Sequence, residues 1–411
     1  MATTSIGAAT SRSRLRAILE TTFGVTPVTG NPFNIRNVGD TLTFGLSKAE
    51  SQEIRADRQT SGSTVVDATS GGAVNFELSY AEYDPFLQAL FGSAYSVYGT
   101  LGVGSTFTAA YTATTITASV APATTSALTT LQLGQWFTLN HPGSLNAGKL
   151  LRVSPTVAPT ATVITLDAST PAIVEGATAG CALQTSRLTN GVSENSFSIE
   201  EESADVSKFL MHRGQVLDKM SLKLASGSLV TGSFTFIGKD ANDGTSITSM
   251  PGTPITSKTY NVQNAVTGVG SLWEGLAPLS SASTFIESLD FNYANGSYAQ
   301  KAIGTLGNAG IAQNKVMVEA TGKMYFKDWT TYNKFKNDIY TQFIIPVRDS
   351  AGNGCVITLP RCSFKDWKRE KGGNGSNIYV SFTLTAYADD ANAVPALRQT
   401  IFWDRVGVAP A

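Results

Sequence analysis

Along the 411-residue sequence, an alternating strand, a polar loop, a second strand, a short helix and a terminal hairpin follow one another in the same order twice. In TLTFGL (41–46) Leu42 and Phe44 alternate with polar residues, and in SLDFNY (288–293) Leu289 and Phe291 do so at the same offset. Alternation at period two places apolar side chains on one face of a strand. The ends of the two halves also match. SFTFIGKDAN (233–242) follows Met220, Leu222 and Leu224, and SFTLTAYADDAN (381–392) follows Cys362, Phe364 and Trp367. A supersecondary order that repeats over so long a period points to duplication.

Helices are fewer. Residues 82–91 read as one, with Asp84 as N-cap, Pro85 at the first helical position and Phe86, Leu87, Leu90 and Phe91 at helical spacing. Residues 327–340 read as its counterpart, with Trp329, Tyr332, Phe335 and Ile339 on one side. A short arm helix is expected over 11–22, carrying Leu15, Ile18 and Leu19 on one face and ended by Gly24 and Pro27. The halves differ mainly in 97–189, where Thr and Ala dominate and short β patches recur, long enough for a small β-barrel or sandwich. The expectation is therefore a mainly β chain. It has an N-terminal arm (1–32), a first β-sandwich or barrel module with a flanking short helix (33–96 and 190–260), an inserted outer β domain (97–189) and a second module (261–411).

Charge and motif content exclude several function classes. Lys and Arg total 30 against 31 Asp and Glu, and charged residues make up 15% of the chain, against roughly 25% in an average globular protein. Such a surface lacks the basic face that gathers phosphates. Three cysteines, Cys181, Cys355 and Cys362, and two histidines, His141 and His212, have no metal-ligand spacing, and no nucleophile elbow, phosphate loop or zinc-protease motif occurs. No catalytic residue, metal or cofactor is expected. No run approaches the ~18 apolar residues of a membrane span, and the N-terminus shows no signal-peptide pattern, so no membrane association and assembly in the host cytoplasm are expected.

Several segments, in order, carry a resemblance. They are ETTFGVTP (20–27), AESQEIRADRQTSG (49–62), VNFELSYAEYDPFLQALF (74–91), and SFSIEEESADVSKFLMHRGQVLDKMSLKL with LVTGSFTFIGKDA (196–224 and 229–241). Together they resemble the tail tube proteins of long-tailed bacteriophages. The resemblance implies a virion protein whose β-sandwich sheets join those of neighbouring copies around a lumen. It implies stacked rings through which DNA passes without tight binding, with a tape measure protein and a tail terminator as further partners. Ordinary members supply one unit to a hexameric ring, so a duplicated chain is expected to form a homotrimer with pseudo-sixfold symmetry and to stack into a flexible, non-contractile tube.

The long loop with which such proteins touch the adjacent ring is matched by 46–62 and its partner 293–310. In the first, Lys48, Glu50, Glu53, Arg55, Asp57 and Arg58 mix signs, which suits ion pairs with a neighbouring ring. In the run Glu200, Glu201 and Glu202, strand alternation sends Glu200 and Glu202 to one side, and these two are expected to line the lumen and repel phosphate. Two rival readings stand beside this one: a carbohydrate-binding or glycoside-hydrolysing virion protein in which aromatic residues such as Trp273, Trp329, Trp367 and Trp403 stack on sugars, and a tail terminator or baseplate ring protein.

Overall fold

Period-two alternation of apolar residues against Ser, Thr and Lys yields a mainly β protein built of antiparallel strands, with two short α-helices among the described residues. The computed structural model describes residues 7–96, 108–119, 128–242, 244–266, 272–275, 277–279 and 284–407. In chain order come β1 (Ser13–Leu19), β2 (Phe33–Ile35), β3 (Thr43–Glu50), β4 (Ser63–Glu77), α1 (Asp84–Phe91), β5 (Ala182–Thr189), β6 (Ser196–Ser203), β7 (Lys208–Ala225) and β8 (Thr231–Gly238). Then follow β9 (Ile286–Ala294), β10 (Met317–Tyr325), α2 (Thr330–Lys336), β11 (Thr341–Arg348), β12 (Gly354–Lys371), β13 (Ile378–Tyr387) and β14 (Phe402–Val406).

One run of antiparallel pairings links β3, β4, β8, β7, β9, β10, β13 and β12 in that order. It depends on β7. Val216 pairs with both Ser196 of β6 and Ile237 of β8, and Lys219 with both Thr235 of β8 and Ala294 of β9. Strands β6 and β9 therefore share one edge of β7, end to end, while β8 occupies the other. On β12, Cys362 pairs with Thr341 of β11 and Ala386 of β13, so β11 again lies opposite the hairpin partner. Beyond Cys362 that edge of β12 has no strand on it among the described residues.

The two halves share irregularities as well as order. A bulge falls between Phe197↔Gln215 and Ile199↔His212 on β6/β7, and another between Leu217↔Phe236 and Lys219↔Thr235 on β7/β8. On β11/β12 and β12/β13 the bulges fall between Thr341↔Cys362 and Phe343↔Leu359, and between Phe364↔Leu384 and Asp366↔Thr383. Cys362 thus stands where Gln215 does and Phe364 where Leu217 does. Each bulge bends its strand and adds local twist, so the two long strands bend at equivalent places.

This pairing corrects one expected match. Val74 lies opposite Phe234 and Gly322 opposite Phe382, and two residues earlier Gly72 lies against Leu42 while Ala320 lies opposite Phe291. Leu42 is therefore the counterpart of Phe291, and Phe44 of Tyr293. A two-residue shift preserves alternation, which is why the sequence pattern does not reveal it.

The N-terminal arm is also corrected: 11–22 contains β1, not a helix, inserted between β6 and β2. Leu15 and Ala17 are buried at period two, while Leu19 is half exposed. Seven residues of apolar-polar sequence satisfy either period, and the two flanking strands supply the hydrogen bonds that decide between them. Helix α1 buries the expected Phe86, Leu87, Leu90 and Phe91, and Gly92 closes it with φ 62°. Phe91 stacks on Tyr293 of β9 at 4.6 Å, so the first helix packs against the second half. By contrast α2 is shorter than expected and buries no residue; Trp329 and Ile339 flank it half exposed.

The insertion has its own core, including Ala109, Tyr111, Phe137, Leu151 and Ile164, while the start of the expected insertion, 97–107, lies outside the described residues. It joins the large sheet through β5, which pairs with both Trp136–Asn140 and β14. At this seam the buried Arg187 guanidinium donates to Asp404 at 2.7 and 2.8 Å, and the Trp136 amide donates to the same carboxylate at 3.1 Å. Removing one member leaves the other charge buried and unpaired. Asp404→Ala is expected to lower stability by about 3–5 kcal/mol, read as the shift in denaturant unfolding midpoint at unchanged slope.

Candidate assembly surfaces

Strand alternation gives the eight-strand run two unlike faces. Phe76, Phe234, Leu222, Phe291, Val318, Phe382 and their neighbours form the core on one side. The other side is polar in rows that cross the strands. Asn75, Ser233, Ser221, Asn292, Glu319 and Thr385 form one row, and Lys223, Asp290, Thr321 and Thr383 another. Several charges here are paired. Lys365 donates to Glu319 at 3.0 Å, Lys323 lies 3.6 Å from Glu287, and Lys223 pairs across from Asp290. The Glu319 carboxylate holds the Lys365 ammonium charged to higher pH than usual. The sequence reading did not single out this face, although its signal is present in SFTF, SLKL and SLDFNY.

The glutamate run lies elsewhere, and its expected role is corrected. Glu200 is fully buried, accepting from Thr248 Oγ1 at 2.7 Å and the Ser249 amide at 2.9 Å. Arg16 of β1 reaches between Glu200, at 3.7 Å, and Glu202, at 2.5 Å, while Glu201 pairs with His212 at 3.0 Å. Glu200, enclosed in the chain, cannot face a water-filled channel, while Glu202 is partly exposed with its charge answered by Arg16. The arm strand brings the arginine because Arg16 sits opposite Glu200 in the β1/β6 register.

Hairpin β3/β4 has every residue of β3 exposed, Lys48 and Glu50 included, and Phe44, Leu46, Val65 and Val66 are apolar residues left in water. It leaves the body at Gly71 and Gly72, whose φ values of 144° and 149° suit only glycine; a Cβ at Gly72 would meet the Thr41 carbonyl at 2.2 Å. At its exposed tip are Glu53, Arg55, Asp57 and Arg58, of which Arg55 grips Asp57 bidentately at 3.0 and 2.8 Å, holding that carboxyl below its ordinary range. The counterpart loop behaves differently: Lys301 bonds Asp67 at 2.6 Å and Asn308 donates to the Gly238 carbonyl at 2.6 Å, folding the loop onto the first half of its own chain.

No group of three or more His, Cys, Asp and Glu side chains fit to hold a metal occurs among the described residues. His141 is held by Tyr111 at 2.6 Å and the Ala179 carbonyl at 2.9 Å inside the insertion. All three cysteines are buried, and burial pushes the Cys362 thiol up to about 12, which removes its nucleophilic form. Trp367 donates to Thr331 at 3.1 Å within a ring cluster formed with Phe326, Trp329 and Tyr332. No described helix is long and apolar enough to cross a membrane.

The profile of the phage tail tube protein family matches residues 10–388. The chain belongs to this family. Its members are structural proteins of the virion tail, and the mainly β fold with large antiparallel sheets agrees with that membership. No curated protein matches the chain.

The surfaces differ in what they hold up. Replacing Arg55 and Asp57 together with alanine touches only exposed groups and is expected to leave the subunit's stability within about 0.5 kcal/mol of the original. Arg16→Ala strands the buried Glu200 and should cost about 3 kcal/mol or more, with both variants compared by thermal unfolding monitored at the tryptophans.

Proposed function

We propose that three copies of this chain close a ring and that rings stack head to tail into the tail tube, with the eight-strand run as inner wall and its polar face toward the channel. The observation that carries this reading is the face itself: continuous across both halves, rich in Ser, Thr and Asn, and with Lys365 and Lys323 set beside carboxylates. DNA is retained by each phosphate a free cation neutralises, so pairing Lys365 and Lys323 with carboxylates on a wall of short polar side chains lowers that retention. The matching strand order and paired bulges of β6/β7/β8 and β11/β12/β13 support two tandem modules and thus six equivalent units from three chains. Domain limits follow the same division, with the arm strand and the insertion added to the first module.

The tip of β3/β4, carrying Glu53, Arg55, Asp57 and Arg58, with Lys48 and Glu50 on its stem, serves as the contact to the next ring. Heterologous contacts between successive rings generate an open filament. The tube assembles in the host cytoplasm, meets a tape measure protein and a terminator, and passes DNA without catalysis or cofactor. Negative-stain electron microscopy of the purified protein is expected to show long hollow tubes, and mass measurement of dissociated rings three copies. Persistent monomers at all concentrations would contradict the reading, and six copies per ring would contradict the two-module account. Replacing Arg55 and Asp57 with alanine should leave rings intact while shortening the tubes.

A further inference from the structure

Residues 363–371 of β12 present an edge that β13 does not use and β11 does not reach. On β7 the equivalent of 366–371, residues 219–224, is occupied along that edge by β9. At the other end of the run, β3 pairs among the described residues only with β4 and shows no strand on its outer edge, where its counterpart β9 pairs with β7. Each chain therefore holds one finished joint and the two unlike halves of another.

We infer that neighbouring copies are joined by residues 40–45, the start of β3 and the segment leading into it, of one chain lying antiparallel along 366–371 of the next, in the register that β9 already takes on β7; this rests on the ring proposed above and specifies its contact. Within the chain, Met220 faces Tyr293, Ser221 faces Asn292, Leu222 faces Phe291 and Leu224 faces Leu289. Carried through the shared bulges and the corrected β3 match, Phe44 faces Trp367, Thr43 faces Lys368, Leu42 faces Arg369 and Asp40 faces Lys371. The side chains fit. Phe44, 36% exposed in the single chain, enters the ring cluster of Trp367, Trp329 and Tyr332 beside α2, as Tyr293 enters against Phe91 of α1. Asp40 and Lys371 replace two leucines with opposite charges, and Thr43 meets Lys368 on the polar face, continuing its rows into the next copy. The joint is heterologous, so three repetitions close it and leave no open edge in the wall.

Cysteine pairs test the register in assembled protein. With Thr43→Cys and Lys368→Cys together, mild oxidation is expected to give covalent species on a non-reducing gel that stop at three copies, while Thr43→Cys with Gly372→Cys, displaced by four residues, gives none. Tubes seen by microscopy that cross-link only in the displaced pair, or in neither, overturn the register and leave the tube reading standing; absence of any ring overturns both. Phe44→Asp offers an independent check, because the side chain is exposed in the monomer. It should leave the circular dichroism spectrum unchanged and abolish ring formation, and normal rings from this variant would overturn the joint.

Discussion

A backbone edge inside a sheet must hydrogen-bond to something, and the fold is organised around how the long strand β7 meets that demand. Its 18 residues span about 60 Å, more than any one partner covers, so one edge is divided between β6 and β9. That division turns two sets of strands into a single sheet with one shared core, running from Leu15 to Trp403. The core then fixes α1, whose Phe86 is fully buried and whose Phe91 meets Tyr293 and Trp403 from the other half.

Charge is placed according to the same sheet. The buried Glu20 carboxylate is answered on both oxygens: it accepts from the Gly24 and Gly214 amides and from Ser196 and Ser198, all between 2.6 and 2.8 Å. The glutamate of ETTFG thus ties the end of the arm to β6 and β7. Glu200 and Asp404 follow the same rule with Arg16 and Arg187. What remains for the polar face is a set of short side chains with ion pairs such as Lys365–Glu319 and Lys323–Glu287 among them, and this face rather than Glu200 is open to the exterior.

Much of this was legible in the sequence because alternation is a strong signal over long strands: SFTF and SFTL mark β8 and β13, and DPFLQALF marks α1 with its buried face. Three things were not. Residues 13–19 satisfy strand and helix periods equally, and only the neighbours β6 and β2 decide. The correspondence of Leu42 was displaced by two residues, a shift to which alternation is blind. For Glu200 and Glu202, alternation gave the right common side but not the occupant of that side, since Arg16 comes from a segment some 180 residues away.

Joining two modules in one chain also lets equivalent parts diverge. After β9 the loop folds back onto Asp67 and Gly238, whereas after β3 the hairpin stays in water; α1 is buried, whereas α2 has no buried residue. In the proposed ring, every second joint is already made when the chain folds, so closure costs three association events instead of six. Each joint avoided spares the loss of translational and rotational freedom that two separate subunits would bear. Alternate positions around the ring then present different loops and helices to the outside, and only one of the two needs an anchor for the insertion. The buried pair of Arg187 and Asp404, which fastens the insertion to β14, is such an anchor; at the matching place on β7 the short strand Asp240–Ala241 pairs with His212 and Arg213 instead, and Arg213 bonds Asp240 there.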